Sequence, residues 1–590
     1  NKMKIECDLL CVSGGYTPAV HLFTQSGGKL TYNEQKYYFH PKTNTSNQIS
    51  IGSCNGTFGL KNIITESQNK TNEFLNINCS EKFNVLESNG NDFENIWLLP
   101  SDKISGKTKS FVDYQNDSTA NDIKLALREG FKSIEHVKRY TTTGMATDQG
   151  KIGNMHALGI VSDVTNTKLG ELGTTTFRPP YTPLTFGALV GRNVGQFFDI
   201  IRKTPMHNWH EKNNAKFENV GQWKRAWYYP INNENMYDAV QRESKAARTK
   251  AGILDASTLG KIDIQGSDAS EFLNRVYTNA WNKLAIGKCR YGLMLNDDGM
   301  VYDDGVTTRL DENHYIMTTT TGGAATVMGK LEDFLQTEWP ELKVYLTSVT
   351  DHFATVSVCG PHSKKILEKV AKNIDYSDKN FPHMSYKEGL IDKKKCRVMR
   401  ISFTGELSYE INIQANYGQS VWEKCMEAGE EFGITPYGTE AMHLLRAEKG
   451  FIIVGQETDG TVTPVDLQMD WIVSKKKYDF IGKRSLYRSD TMRKNRKHYV
   501  GLLTKDPKEV LEEGAQIVAE VENKPPMNMV GHVTSSYYSP NLNKSIALAV
   551  VKNGKKLKGK KLYVPMPNKI IEVTVSDTIF LDKEGNRLNA

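Results

Sequence analysis

Arg290-Tyr-Gly-Leu-Met-Leu-Asn296 and Gly299-Met-Val-Tyr-Asp-Asp-Gly-Val-Thr-Thr308, joined through Asp297-Asp298, decide how this chain is read. Two strand-forming runs separated by a turn dipeptide predict a tight hairpin. Strand side chains alternate between faces, so Tyr302, Asp304 and Val306 share one face while Asp303 points the other way with Thr307 and Arg309. A loop at Asp297-Asp298 sets Tyr291 directly across from Asp304. A loop at Asp298-Gly299 moves the pairing by two and leaves the faces unchanged. In both registers Asp304 stands among Tyr291, Leu293, Tyr302 and Val306, a largely apolar set. Burial there is costly unless something compensates it, and pushes a carboxyl pKa upward. A carboxylate so placed is a functional candidate; the alternative is that it caps a turn or bonds nearby backbone.

A second carboxylate lies on a comparable strand, Thr404-Gly-Glu-Leu-Ser-Tyr-Glu-Ile-Asn-Ile413. Ile411 and Ile413 share one face and Glu410 shares the other with Asn412. The two parallel oxygens of a carboxylate match the adjacent N–H donors of a guanidine-like ring edge, as pterins possess. In Leu444-Leu-Arg-Ala-Glu-Lys-Gly450, Arg446 and Gly450 lie one helical turn apart and the glycine ends the helix. Arg446 taken alone reads best as a plain salt bridge.

Around these motifs, residues 196–490 alternate short strands and helices, such as strand 261–265 and helix 269–276. Residues 497–590 are mostly strand, at 530–534, 546–551, 561–564 and 571–575, and argue a small barrel. Six lysines between Lys552 and Lys561 flank Asn553-Gly554 with no aromatic before Tyr563, so they read as a solvated hairpin tip. Upstream, the strand 8–12 runs into Gly14 and Gly15, and 49–51 runs into Gly52 and Gly56; each is followed by a helix, at 19–25 and 60–67. Such turns suit a phosphate, or are ordinary strand-to-helix turns. No two glycines flank a single residue anywhere in the chain, so any dinucleotide site here is half a site. Residues 1–75 are therefore read as the end of an α/β dinucleotide-binding domain, with an Asn-rich linker over 70–95. Residues 90–185 form a small helical domain and connector, with a helix from Ser118 or Thr119 to Tyr140 and an extended stretch over 176–183 that three prolines keep from helix. Gly144 to Lys151 resembles a phosphate loop but has five residues between its glycines and Ile152 where a Ser or Thr is needed. The fold class is α+β.

At 590 residues, and roughly 100–200 residues per domain, a single compact unit is excluded. The 75 basic and 68 acidic residues leave +7, too slight and too evenly spread for nucleic-acid binding. No apolar run approaches the ~18 residues of a membrane span. The eight cysteines stand singly, without C-x-x-C, as reduced thiols of a cytoplasmic protein do. Asn1 to Asp8 has no signal pattern, and the start reads as that of a fragment.

Residues 252–260, 297–306, 403–413, 444–450 and Thr463-Pro-Val-Asp466 resemble, in order, the glycine-cleavage aminomethyltransferase family, and 531–548 continues the match. Residues 12–22, 136–145 and 174–180 resemble the α-subunit family of heterotetrameric sarcosine oxidase, whose amino-terminal half, with the dinucleotide fingerprint, is absent here. The resemblance implies a folate-binding subunit. In it Asp304 is the acid-base and electrostatic group beside tetrahydrofolate, and Glu410 holds the pterin edge. Tyr291 and Arg446 line the same cavity. It further implies β, γ and δ partner subunits, FAD on the β subunit, NAD in the complete chain through Gly14, Gly15, Gly52 and Gly56, and FMN at the β interface near Lys138, Arg139 and Lys151. A folate-binding scaffold, or action on another N-methyl amino acid, is the alternative. Phe403 stands where the family usually has tyrosine, so that phenol contact is not carried over. Thr147 and Asp148 stand where a cluster-binding cysteine is expected, so no iron–sulfur cluster and no metal is implied.

Overall fold

A computed structural model describes residues 3, 5–9, 15–42, 48–86, 95–99 and 109–589. The chain divides into two compact units, Asn1–Phe198 and Asp199–Ala590. The first is built on three helices, Ala120–Arg128, Ile134–Thr141 and Asn154–Thr165. Their apolar stripes put Ile123, Ala126, Val137, Leu158 and Val161 into one core. Thr119 caps the first helix in a reciprocal capping box with Asp122, as its sequence position predicts. The single helix expected up to Tyr140 is two, because Gly130 adopts φ +98° and turns the chain.

The strands expected before the two glycine turns are not formed at Asp8-Leu9 or at 49–51; Gly14 and residues 10–13 lie outside the described residues. Short apolar runs such as these form strands only when a neighbouring strand pairs with them. After the second turn comes the expected helix, longer than predicted at Leu60–Leu75.

The second unit holds a five-stranded sheet, a six-stranded sheet, a small three-stranded sheet and a closed six-stranded barrel. In the five-stranded sheet the strands Cys289–Leu295, Val301–Asp311, His314–Thr319, Gly260–Gln265 and Tyr345–Ser348 lie side by side. In the six-stranded sheet Ser408–Gln414 lies between Lys394–Arg400 and Phe353–Cys359. Ile411 and Ile413 enter the core with Val356, Val358, Val398 and Trp422, as their alternation predicts. All four predicted carboxy-terminal strands form and join the barrel, with Lys497–Thr504 and Gln516–Val518 closing it. The lysine-rich segment is not a hairpin tip. Strand Lys544–Lys552 pairs with Lys497–Thr504 and Met529–Ser539, while Lys561–Met566 pairs with Lys569–Ser576 and Gln516–Val518. The segment crosses between separate parts of the barrel. A sequence turn signal fixes a local reversal but not which strands then pair.

Candidate active site

The hairpin closes with a three-residue loop, between the two registers expected. Asn296 N donates to Met300 O at 2.8 Å, Gly299 N donates to Asn296 O at 2.9 Å, and Gly299 takes φ +84°. A bulge between Met294 and Leu295 then restores the register of the second alternative, with Leu293 opposite Asp304 and Tyr291 opposite Val306. Tyr291 is therefore diagonal to Asp304 on the same face. Its hydroxyl donates to Asp304 Oδ2 at 2.6 Å. Burial pushes the Asp304 carboxyl up to about 7; the Tyr291 hydrogen bond opposes the shift and the Asp303 charge adds to it.

Asp303 points to the other face, as alternation requires. Its Oδ1 accepts from Asp304 N at 2.9 Å and Thr320 N at 3.4 Å, while among the described residues Oδ2 is buried without a hydrogen bond. Burial raises its carboxyl to about 6. The backbone amide of Asp304 is thus held by its neighbour's side chain, and Asp304 is fixed at both ends.

Glu410 comes from the other sheet. It lies opposite Met399 on one side and Ser357 on the other. Met399 packs with Ile401, Cys289 and Val306, the last two from the hairpin. Thr308 Oγ1 ties Cys289 Sγ at 3.2 Å and Met399 Sδ at 3.8 Å across that seam. Asp304 shares a face with Val306, and Glu410 shares one with Met399, so both carboxylates face the seam between the sheets. Among the described residues Glu410 makes no hydrogen bond and no ion pair, and burial raises its carboxyl to about 7 against the pull of Lys261. Lys261 was not singled out from sequence, where it is one polar residue at the start of a strand. Here it is buried, with Nζ donating to Ser257 O and Leu259 O, each at 3.0 Å, and burial lowers it to about 8.

The remaining sequence-predicted residues fare differently. Arg446, on helix Thr439–Glu448, is fully buried and engaged within the protein. It donates to Glu457 Oε2 at 2.8 Å, Phe451 O at 3.0 Å, Gln456 Oε1 at 3.2 Å and Ser535 Oγ at 2.6 Å. This corrects its place on the cavity wall: Nη1 holds Glu457 and Nη2 joins the helix to Ser535 on the barrel strand Met529–Ser539, which is the salt-bridge reading. Phe403 is 37% exposed, its ring 6.3 Å from that of Phe451.

In the first unit, Gly52 N donates to Glu66 Oε2 at 2.7 Å, so the chain's own carboxylate takes that amide. Gly15 and Gly56 both adopt positive φ, +82° and +81°. Arg139 pairs with Glu135 at 3.1 Å, Lys138 is buried on Thr176 O at 2.8 Å, and Lys151 donates to Tyr181 O with its ammonium 4.0 Å from the Tyr181 ring centroid. These engaged cations do not make a ready cradle for a flavin phosphate. Among the described residues, no helix is long and apolar enough to cross a membrane.

Residues 206–477 match the GCVT N-terminal domain, 497–582 the glycine cleavage T-protein C-terminal barrel domain, and 107–192 the sarcosine oxidase A3 domain. Sarcosine oxidase subunit alpha of Corynebacterium sp. (strain P-1) is 47% identical over 595 residues, covering 99% of this chain and 61% of that protein. That of Rhizobium meliloti (strain 1021) is 40% identical over 596 residues, covering 99% and 60%. The chain resembles sarcosine oxidase alpha subunits. It spans about three fifths of their length. An aminomethyltransferase of Caldanaerobacter subterraneus subsp. tengcongensis is 29% identical over 385 residues, covering 65% of this chain and 97% of that protein. The crystal structure of aminomethyltransferase T from Bartonella henselae superposes with a TM-score of 0.57 at 24% identity, over 65% of this chain and 99% of that one. The fold is aminomethyltransferase-like, ending in the closed barrel.

Proposed function

We propose that this chain is the folate-binding part of a sarcosine oxidase complex. In this reading it passes the one-carbon unit of oxidised sarcosine to tetrahydrofolate, giving 5,10-methylenetetrahydrofolate, while the complex releases glycine and hydrogen peroxide. The observation that carries the reading is the pair of carboxylates facing one seam: Asp304, held by Tyr291, and Glu410, without a protein partner. An unpartnered acceptor beside apolar surface suits the adjacent N–H donors of a pterin edge. The likeness to sarcosine oxidase alpha subunits supports the β, γ and δ partners, a cytoplasmic setting, and FAD on the β subunit. It supports NAD in the complete protein and FMN at the β interface in the same way, with the partner subunit supplying phosphate donors that Arg139, Lys138 and Lys151 do not offer.

In this chain's chemistry Glu410 orients the ring and Tyr291 aims Asp304. The incoming iminium cation favours the ionised form of Asp304, whose oxygen then stabilises that cation. Asp304 accepts the proton from the attacking folate nitrogen and returns it to the amine, which leaves as glycine. The second folate nitrogen then closes the methylene bridge, and its proton passes to Asp304 and on to solvent. Asp304 thus serves as general base and acid with a pKa matched to neutral pH. The seam's apolar walls keep water from hydrolysing the iminium to formaldehyde.

The test uses the full complex carrying Asp304→Asn, with sarcosine oxidation and 5,10-methylenetetrahydrofolate formation followed separately. Oxidation should persist while product shifts to free formaldehyde. Unchanged methylenetetrahydrofolate yield and rate would remove Asp304 from the mechanism and favour a scaffold role.

A further inference from the structure

The strand Val301–Asp311 and its neighbour His314–Thr319 pair over only part of their length. Arg309, Thr308 and Thr307 lie opposite Tyr315, Ile316 and Met317, and the ladder stops there. Beyond that point side chains take over the bonds of the backbone. Thr318 Oγ1 accepts from Val306 N at 2.9 Å and donates to Val306 O at 3.0 Å. Asp303 Oδ1 accepts from Asp304 N at 2.9 Å and from Thr320 N at 3.4 Å. A carboxylate oxygen thus stands in for the strand carbonyl that would otherwise receive the Asp304 amide. Thr320 Oγ1 in turn accepts from Gly323 N at 3.0 Å, and Gly323 opens the helix Ala324–Thr337.

The second oxygen of Asp303 lies where only glycine leaves room. A Cβ added to Gly323 would come within 2.5 Å of Asp303 Oδ2 and 2.7 Å of Thr320 Oγ1, so the carboxylate rests against the start of the helix. No side chain caps that helix by a hydrogen bond, and the first amides of a helix lack acceptors within it and carry positive partial charge. Asp303 is 1% exposed and makes no ion pair among the described residues. The titratable groups in its field are Asp304, Tyr277, Tyr291 and Tyr302, and none is a cation. Lys330, on the same helix, donates to Asn296 Oδ1 at 3.0 Å instead. Two accepted amides and the helix terminus favour the charged form of Asp303, which gives up its proton before Asp304 does. Its charge then adds to the burial that holds a proton on Asp304.

We propose that Asp303 is a positioning residue for one-carbon transfer: from the far face of the strand its carboxylate clamps the Asp304 amide to the start of helix Ala324–Thr337, and its fixed negative charge keeps Asp304 ready to take a proton. The proposal rests on the folate reading and adds a residue that touches neither folate nor the one-carbon unit. Alternation keeps the Asp303 side chain on the opposite face, so it acts only through Asp304. Its two parts can be separated. Asparagine keeps an oxygen for the two amides and loses the charge, whereas alanine at position 323 keeps the charge and dislodges the carboxylate.

The test follows the initial rate of 5,10-methylenetetrahydrofolate formation relative to sarcosine oxidation in the full complex, as a function of pH. In Asp303→Asn the acidic limb of that profile should move to lower pH, by about one unit or less, because Asp304 loses a like charge beside it. Asp303→Ser, equally uncharged, should shift the limb the same way and stands in if the asparagine variant does not fold. Gly323→Ala should lower transfer by about 10–100-fold at every pH, the effect of a displaced catalytic group. Asp303→Ala, which removes the acceptor outright, stands in for it. An acidic limb that stays in place in Asp303→Asn, or in its stand-in, overturns the role of the charge. Undiminished transfer in Gly323→Ala, or in its stand-in, overturns the clamp. Both results leave the folate reading intact, whereas a wild-type complex that forms no methylenetetrahydrofolate at any pH overturns that reading as well.

Discussion

Two groups of buried charges in the second unit differ in one respect. Around the helix Thr439–Glu448, three buried carboxylates are held by arginines. Arg446 holds Glu457, and Arg248 holds both Glu448 and Glu406, while Arg587 reaches Glu406 as well. Along the sheet seam, Asp304 and Glu410 have no cation within ion-pair distance among the described residues, and neither has Asp303 on the opposite face of the hairpin strand. Glu406 and Glu410 lie on the same motif, four residues apart, yet fall into different groups. The first set ties the barrel to the sheets. The second holds carboxylates near neutral pKa, which is where proton transfer at physiological pH needs them.

The sharpest break in that contrast comes from removing a cation. Arg446→Met leaves Glu457 buried and unpaired and should lower stability by about 3–5 kcal/mol in urea unfolding. A loss below about 1 kcal/mol would mean that water reaches the pair and that the two groups are alike.

Asp304→Asn should move stability the other way. The carboxyl titrates at 3.8 ordinarily and at about 7 in the folded chain. Between those values the folded chain keeps a proton that the unfolded chain has released, so stability falls as pH rises through that window. The penalty stands in full above pH 7. The variant should therefore gain up to about 4 kcal/mol at pH 8 and little at pH 4, read from melting curves at both. Equal effects at the two pH values would show that Asp304 is not desolvated. Glu410→Gln should behave in the same direction, since burial raises Glu410 to about 7 as well.

Tyr291→Phe removes the donor that holds Asp304 down, so the carboxyl should titrate higher still. One-carbon transfer, which needs the ionised form, should then begin at higher pH than in the wild type, by about one unit or less. A pH profile that stays in place would separate Tyr291 from Asp304. The smallest effect belongs to Phe403→Tyr. This side chain is 37% exposed, and the added hydroxyl should change stability by less than about 0.5 kcal/mol in thermal melting. A larger loss would place Phe403 inside the packed seam.

Much of the fold was legible in the sequence because it follows from local periodicity. The four barrel strands, the capped helix at Thr119 and the inward faces of Ile411 and Ile413 all follow from side-chain alternation or capping chemistry. The same rule put Asp304 with Tyr291 on one face and Asp303 on the other before any pairing was known. Period-two alternation survives a register shift of two, so the face was secure although the loop was not.

The sequence by itself determined which face each strand residue takes and which carboxylates could meet a ligand. It did not determine which charges are neutralised. Arg446 meets Ser535, 89 positions away, and Arg248 meets Glu448, 200 positions away. Lys261 gives no signal along the chain, because one cation in a strand reads the same whether water or protein surrounds it. The lysine segment failed for a related reason: its turn was local, but its strands pair elsewhere. Only the tertiary structure sets desolvation and the nearest opposite charge, and those two quantities separate the groups that hold this protein together from those left free to bind.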